Sequence, residues 1–363
     1  MRMKKTTRKQ LRTIRRRRLA LALVGAMAMP LLPAMAQSLP SGYTVVNGDP
    51  TIASAGNQMT VTQTTKGAII DWGSFNIGAG YGVTFDQQFG TSSVTLNRVI
   101  GFGYSGSPSQ INGTLTSNGN VFIINPAGIT FGSNAQVNVG GLIASTLDMS
   151  NADFLSGLTS GQYRFVGNGS DAGAVYNSGQ LTAADGGTIG LIGSYIENSG
   201  TITANLGGGV FGATNDATLD LFRDGLTQVT VSGNGLARSN CSLNCTGGIN
   251  SSGNVFAQGG HIEMRSNTMD GASAGTGLFV DPANGGRIWI SGNVVARTTG
   301  TREGSIIIDA GQGNIDLGGV NGRTGNVSVT AINAGENAGT ITLRGNQLFT
   351  HLCYGTGPTD LCV

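Results

Sequence analysis

Short runs in which apolar residues alternate with small or polar residues recur along the chain. Residues 97–148 show the pattern most clearly, in runs of a few residues that end at an Asn-Gly, a Gly-Ser or a proline. A period of two indicates half-buried strands, and the interruptions indicate turns. The alternating apolar positions here are Val121, Ile123, Ile129, Phe131, Val137, Val139 and Leu142.

The sequence Asn125-Pro126-Ala127-Gly128 within this segment predicts a tight turn. Pro126 fixes its own φ and moves Asn125 out of the helical region, and Gly128 is free to adopt a positive φ. We therefore expect two short strands to meet at a sharp corner here.

Related phrases recur along the rest of the chain. NSGQLTA at 177–183 and NSGTITA at 198–204 are offset by 21 residues. A coil of roughly 20 residues with two or three short strands is typical of a β-helix, in which each coil covers the apolar row of its neighbour. We predict an all-β fold, a right-handed single-stranded parallel β-helix. Further repeats are SGNVFAQGGHIEM (252–264), SGNVVARTTGTREGSIIID (291–309), TGNVSVTAINAGENAGTITL (324–343) and Gly-Gly-x-Ile at 186–189, 259–262 and 285–288.

The N-terminal end of such a stack needs protection, because open strand edges pair with other chains. We expect residues 37–75 to form a cap with strands at 43–46 and 59–62. Trp72 and Phe75 would then pack over the first coil, and ligand stacking is the alternative role for Trp72.

Two segments interrupt the repeats and predict small hairpins outside the β-helix. Residues 150–172 are expected to leave the coil, with Phe154, Leu155 and Leu158 in a short helical turn. Residues 234–248 are expected to form a second surface excursion.

Composition agrees with a folded β protein. The chain has 61 glycines in 363 residues and 11% charged residues. High glycine content could indicate disorder, but disorder usually comes with low hydrophobicity and high net charge. Here Val, Ile and Leu recur regularly, and no segment after residue 36 shows convincing helical periodicity.

The N-terminus has the form of a secretory signal peptide. Residues 1–18 contain ten Lys or Arg and no acid, residues 19–32 are mostly apolar, and Ala34-Met35-Ala36 precedes Gln37. A basic region, an apolar region and a small-x-small site are typical of such a peptide, so we place cleavage between Ala36 and Gln37. A nucleic-acid-binding tail is the less favoured explanation of the arginines.

Removal of residues 1–36 reverses the charge. The remaining 11 basic residues face 19 acids, so the net charge falls from +2 to −8. An acidic exported chain gives no electrostatic reason to expect nucleic acid or an anionic membrane as a partner.

Three motifs carry a family resemblance. They are Asn97-Arg98-Val99-Ile100-Gly101, Asn125-Pro126-Ala127-Gly128-Ile129 and the glycine-rich run Gly140-Gly141-Leu142-Ile143-Ala144-Ser145-Thr146. In order and spacing they resemble the secretion domain of two-partner-secretion exoproteins of the filamentous haemagglutinin type. Ala127 departs from the family motif, where Asn is usual.

The resemblance implies export across the inner membrane and then through a dedicated outer-membrane transporter with periplasmic adaptor domains. It covers residues 37–260, followed by further coils at 261–363. Such proteins are secreted or surface-exposed adhesins or haemagglutinins that act on host or bacterial surface glycans or proteins. We predict no cofactor and no catalytic activity.

The motif residues admit two hypotheses. Arg98 is one of two basic residues between Gln37 and Tyr163, the other being Lys66. Asn97 and Arg98 could form part of the element that the transporter recognises, or they could cover and join neighbouring coils. The 125–129 turn likewise could contact the transporter, but setting the fold is favoured.

The four cysteines form two close pairs. An exported chain with an even count at short spacing predicts the disulfides Cys241–Cys245 and Cys353–Cys362. In some family members a C-terminal pair keeps the protein attached to its transporter. Residues 353–362 resemble that arrangement, and a stapled C-terminal cap is the alternative.

Catalysis and metal binding find little support. Only His261 and His351 are present, and neither lies close in sequence to the Cys241/Cys245 pair, so we predict no metal site. Paired carboxylates could support a secreted β-helix carbohydrate-active enzyme, and a truncated larger adhesin or contact-dependent toxin is a further alternative. The acids that could line such a face are Asp171, Asp185, Asp216, Asp220 and Asp224.

Overall fold

Three long sheets are built from short strands that follow one another around a coil. In the computed structural model of the protein, the described residues are 39–100, 106–167, 173–221, 228–231, 248–266, 287–297, 299, 302–311, 314–317, 328–330, 340–344 and 347–350. Sheets 1 and 2 contain ten strands each and sheet 3 contains eight. Three further strands form an outer sheet.

The strands of each sheet are given in the order in which they pair. Sheet 1 contains Thr44–Asn47, Gly67–Trp72, Val94–Val99, Asn120–Ile124, Gly141–Ser145, Thr188–Gly193, Gly208–Ala213, His261–Ser266, Ser305–Asp309 and Thr340–Arg344. Sheet 2 contains Thr51–Ala55, Gln58–Gln63, Gly82–Gln87, Thr114–Ser117, Gln136–Val139, Gln180–Ala183, Thr201–Thr203, Asn254–Phe256, Asn293–Val295 and Ser328–Thr330. Sheet 3 contains Ser109–Ile111, Ile129–Phe131, Ala174–Asn177, Tyr195–Asn198, Gly248–Ser251, Arg287–Ile290, Asn314–Leu317 and Gln347–Thr350. The outer sheet contains Gln162–Val166, Asp216–Asp220 and Gln228–Val231, and the helices within the described ranges are Gly90–Ser92 (3-10) and Asn151–Ser160 (α).

Strand pairing confirms the predicted all-β fold and parallel β-helix. Apart from the antiparallel first pairs of sheets 1 and 2, neighbours in the three long sheets are parallel. The 21-residue offset is one turn of the coil, because Asn177 pairs with Asn198 and Gln180 pairs with Thr201. The Asn177 side-chain amide also donates to Asn198 Oδ1 at 2.9 Å.

The apolar residues form two cores, one on each face of sheet 1. In the strand Asn120–Ile124, Val121 and Ile123 lie in the inner core of the coil, and Phe122 and Ile124 lie in an outer core. All the alternating positions that the sequence singles out between 121 and 142 belong to the inner core. Burial on both faces explains why this strand is a continuous apolar run.

The α-helix and the outer sheet cover the outward face of sheet 1. The Ser150 hydroxyl accepts a hydrogen bond from the Asp153 N–H at 3.0 Å and caps the helix, and Gly161 ends it with a φ of +75°. Phe154 is fully buried in the outer core. The predicted excursion after residue 150 is therefore present, and it is longer than one helical turn.

The N-terminal cap is also confirmed as a structural feature. The strands Thr44–Asn47 and Thr51–Ala55 pair antiparallel with their neighbours. Trp72 is fully buried and packs edge-on against Phe75, with ring centroids 5.5 Å apart. Because the Trp72 ring has no exposed face, the alternative of ligand stacking on it is wrong.

Two of the sequence repeats do not mark equivalent positions in the coil. Ile189 and Ile262 lie in sheet 1, but Ile288 lies in sheet 3. Alignment of the SGNV and TGNV phrases would place Asn293 beside Asn326. In the structure Asn293 pairs with Ser328, so that alignment is two residues out of register. A shift of two keeps the same side chains facing inward, so the alternating pattern cannot reveal it.

Several predictions fall on residues outside the described ranges. These are the signal peptide with its cleavage site at Ala36 and Gln37, the surface excursion at 234–248 apart from its last residue, the acids Asp171 and Asp224, and both cysteine pairs. Among the described residues, no helix is long and apolar enough to cross a membrane.

Candidate functional site

Asn97 lies in the strand Val94–Val99 with its side chain fully buried. Its Oδ1 accepts a hydrogen bond from the Trp72 indole N–H at 3.0 Å, and its Nδ2 donates to the Phe122 carbonyl at 3.2 Å. Asn97 therefore joins three successive strands of sheet 1 from the inside.

Arg98 points to the opposite face of the same strand. Its guanidinium forms a two-bond ion pair with Asp71, at 2.9 Å from Nε to Oδ1 and 3.2 Å from Nη2 to Oδ2. Nη1 donates to the Met149 carbonyl at 3.0 Å. Arg98 is mostly buried, and it ties two coils to the segment that enters the helix.

The remaining residues of the 97–101 motif lie in different environments. Val99 lies in the inner core. Ile100 is 54% exposed, which makes it the most exposed large apolar side chain of the described residues. Gly101 lies outside the described ranges.

The predicted tight turn at residues 125–128 is present. The Gly128 N–H donates to the Asn125 carbonyl at 3.0 Å, and Gly128 has a φ of +127°. The Asn125 side chain closes the turn, because its Oδ1 accepts from the Ala127 N–H at 3.0 Å. Its Nδ2 donates to Ser109 Oγ at 3.0 Å in the preceding coil.

This geometry explains why alanine is acceptable at position 127. The polar contacts of the turn come from the Asn125 side chain and from backbone groups, and Ala127 itself is only half-buried. An asparagine at 127 is not needed to hold the turn closed.

The two motifs meet at one corner of the coil. Arg98 pairs with Ile124, the residue immediately before Asn125. The third motif provides the next strand, because the Asn125 N–H donates to the Ser145 carbonyl at 3.0 Å. Gly140 is required here, since a Cβ would lie 2.7 Å from the Gly119 carbonyl oxygen.

The acidic residues do not form a catalytic pair among those described. Asp216 pairs with Arg164 in the outer sheet at 2.9 Å, and Asp220 accepts from Gln162 at 3.0 Å. Asp185 is exposed in a turn between sheets 2 and 1. In the described part of the chain, no group of three His, Cys, Asp or Glu residues could hold a metal ion.

Sequence reasoning missed a buried polar cluster on the outward face of sheet 1. Glu263 is fully buried, and its carboxylate accepts from the Val229 N–H at 2.8 Å and from Arg265. His261 Nδ1 lies 2.7 Å from Ser305 Oγ. Burial raises the pKa of Glu263, but the nearby His261, Arg265 and Val229 groups lower it below its ordinary value overall. Two-residue spacing within one strand was the signal that could have found His261, Glu263 and Arg265 together.

The fold, together with the corner where the 97–101 and 125–129 motifs meet, defines the class of protein. It is a capped parallel β-helix whose corners are closed by buried asparagines. The family model of the TPS (two-partner secretion) secretion domain matches residues 36–353. The chain belongs to this family.

Similar proteins come from Haemophilus influenzae. A heme/hemopexin-binding protein of strain Rd is 44% identical over 116 residues, which is 32% of this chain and 12% of that protein. A second heme/hemopexin-binding protein is 41% identical over 111 residues, 30% of this chain and 11% of that protein. The chain thus matches only a small part of these relatives.

A solved structure supports the fold independently. The crystal structure of the HMW1 secretion domain from Haemophilus influenzae superimposes with a TM-score of 0.67 at 28% identity. The match covers 85% of this chain and 71% of that chain.

Proposed function

We propose that this chain is the secretion domain of an adhesin-like exoprotein that a cognate outer-membrane transporter recognises and exports. The observation that carries the proposal is the family match over residues 36–353. The predicted signal peptide would bring the chain to the periplasm, and the adaptor domains of the transporter would bind it there. The product is secreted or held at the cell surface.

Burial of the motif side chains constrains how recognition would occur. Asn97 and Asn125 are almost completely buried in the folded domain, and Arg98 is engaged by Asp71. A transporter could contact these side chains only before the coils close. We therefore propose that the chain is recognised unfolded or partly folded, with its strands docking on the adaptor domains by edge pairing.

Folding outside the cell would then favour outward movement. Each coil buries its apolar row against the coil before it, so each added coil gains about 25 cal/mol per Å² of apolar area buried. The motifs would contribute by closing the corner that residues 97–145 share. Cys353 and Cys362 would tether the product to the transporter or staple its C-terminus.

The target of the exported protein is proposed only as a class, host or bacterial surface glycans or proteins. The ligands of the heme/hemopexin-binding relatives are not assigned to this chain, because the matched regions are only 12% and 11% of the lengths of those proteins. We propose no catalytic activity and no nucleic-acid partner.

The test measures export in cells with and without the transporter, with medium and cell surface assayed separately. Wild-type chain should leave the periplasm only when the transporter is present, and Asn97→Ala/Asn125→Ala should stay there. Export that is indifferent to both would show that the motifs are β-helix architecture alone.

One further variant tests whether the transporter contacts the exposed side chain of the motif. Ile100→Ser changes the exposed motif side chain and should leave the stability of the folded domain unchanged. If Ile100→Ser blocks export, the motif contacts the transporter directly. If only the asparagine variants block it, the transporter does not need Ile100, and the motif acts through Asn97 and Asn125 before the coils close.

A further inference from the structure

Two tyrosines and a glutamate share the outward face of sheet 3. Val175 and Ile196 belong to the inner core, so the residues next to them in their strands, Tyr176, Tyr195 and Glu197, point away from it. Tyr176 pairs with Glu197 across neighbouring strands. Because neighbouring strands lie about 4.8 Å apart, the three side chains occupy one small area of the surface.

The side chains of this cluster are in contact with one another. The ring centroids of Tyr176 and Tyr195 lie 6.1 Å apart, with the ring planes tilted by 60°. The Tyr195 hydroxyl donates to Glu197 Oε2 at 3.3 Å. Both rings and the carboxylate are therefore within reach of a single small group.

The cluster is also open to solvent in part. Tyr176, Tyr195 and Glu197 are each half-buried. In its own row across the sheet, Tyr195 pairs with Ala174 on one side and with Gly248 on the other. Neither neighbour carries more than a methyl group, so no long side chain flanks the Tyr195 ring in this row.

Glu197 gives the cluster a negative charge that the described chain does not neutralise. Among the described residues Glu197 forms no ion pair. Burial, and then the charge of Glu197, raises the pKa of Tyr195, so its hydroxyl stays protonated at neutral pH and donates to the carboxylate. The faces of aromatic rings are also negative. The rings and the carboxylate thus favour the same kind of ligand, an organic cation.

We propose that the cluster of Tyr176, Tyr195 and Glu197 binds a quaternary ammonium group of the choline type. The methyl groups of the cation pack against the two rings, and Glu197 balances its charge. A neutral sugar could also pack against the rings, but it would leave Glu197 without a counter-charge. The site belongs to the folded domain and is independent of the export proposal, so either can fail while the other stands.

The test is calorimetric titration of the purified folded chain with choline and with neohexyl alcohol, the uncharged isostere in which carbon replaces the nitrogen. Choline should bind saturably and about tenfold more tightly than the isostere, because the rings and the carboxylate attract only the charged form. Equal binding of the two compounds, or no saturable binding of choline, would overturn the proposal. Binding of D-glucose in place of choline would also overturn it.

Glu197→Gln is the sharpest variant, because it removes the charge and keeps an acceptor for the Tyr195 hydroxyl. It should weaken choline binding about fivefold and leave the binding of neohexyl alcohol unchanged. Asp86→Asn is the matched control, since Asp86 is an exposed acid on the outward face of sheet 2 and pairs with Thr62. Undiminished choline binding by Glu197→Gln, or an equal loss in Asp86→Asn, would refute the assignment.

Tyr176→Leu tests the aromatic part of the site. Leucine keeps an apolar contact but removes the negative ring face, so choline binding should weaken about threefold while the isostere binds as before. An equal loss for choline and the isostere would show that the ring acts only as an apolar surface, which contradicts a cation site.

Discussion

Asn97 and Arg98 are adjacent in sequence but serve opposite faces of sheet 1. Asn97 bonds to Trp72 and Phe122 on the inside, and Arg98 bonds to Asp71 and Met149 on the outside. Each residue joins neighbouring coils. Both therefore satisfy the structural hypothesis, whereas direct contact with a transporter stays a prediction that needs the unfolded chain.

The contacts of Asn97 predict a large effect of truncation. Asn97→Ala leaves the Trp72 N–H and the Phe122 carbonyl buried without this partner, so the free energy of unfolding should fall by about 2–4 kcal/mol. Urea unfolding measures the loss. The control is Asn138→Ala, because Asn138 is an exposed strand asparagine and its loss should change stability by less than ~0.5 kcal/mol. Equal effects of the two variants would contradict the assigned contacts.

Glu263 predicts a dependence of stability on pH. Its burial raises the pKa, but His261, Arg265 and the Val229 N–H bring it below the ordinary value. A lowered folded pKa contributes stability above the unfolded value of about 4.3, and this is lost as pH falls through the folded pKa. Thermal midpoints should therefore fall below about pH 4.3, more steeply in the wild type than in Glu263→Gln.

Glu303→Gln is the control for this effect, because Glu303 is exposed. At pH 7, Glu263→Gln should destabilise by about 1–3 kcal/mol, the usual contribution of a charged hydrogen bond. Glu303→Gln should behave as the wild type at every pH. Parallel pH curves for the wild type and Glu263→Gln would show that this carboxylate is not responsible.

At the scale of elements, the α-helix is the feature that sequence predicted only in part. Phe154, Leu155 and Leu158 indicated a helical turn, and the helix Asn151–Ser160 extends it to ten residues. The strand that follows the helix, Gln162–Val166, pairs with Asp216–Asp220 from a separate excursion, and this pairing was not predictable. A pairing across about fifty residues leaves no local pattern in either strand.

The helix offers a matched pair of variants. Phe154 is fully buried in the outer core, whereas its neighbour Leu155 is 41% exposed. Phe154→Ala should destabilise the helix and outer sheet by about 3–5 kcal/mol, and Leu155→Ala by less than ~0.5 kcal/mol. Hydrogen exchange at residues 162–166 reports the difference. Similar exchange in both variants would mean that the outer core does not hold this layer.

At the scale of the whole β-helix, the sequence predicted the repeat better than its registration. The 21-residue offset places Asn177 beside Asn198, as the structure confirms. The TGNV phrase suggests the wrong register, because a shift of two residues leaves the same side chains facing inward. Asn293 therefore pairs with Ser328 and not with Asn326. The outer core escaped prediction for a related reason, since continuous apolar strands show no alternation.

Stacked coils contact only their neighbours, which predicts how damage should spread. Ile202 lies in the inner core and pairs with Leu181 on one side and Val255 on the other, and the next residue, Thr203, faces outward. Ile202→Asp puts an unpaired charge into the core and should remove hydrogen-exchange protection at Leu181 and Val255 first. Protection near Val61 should persist, because several coils separate it from the change.

Thr203→Asp is the control, because the same substitution one position along the strand directs the charge to solvent. Protection throughout the stack should then match the wild type. If Ile202→Asp instead abolishes protection evenly from residue 58 to residue 309, the coils unfold as one cooperative unit. Stepwise folding outside the cell would then lose its physical basis, since no coil could be stable before the last had formed.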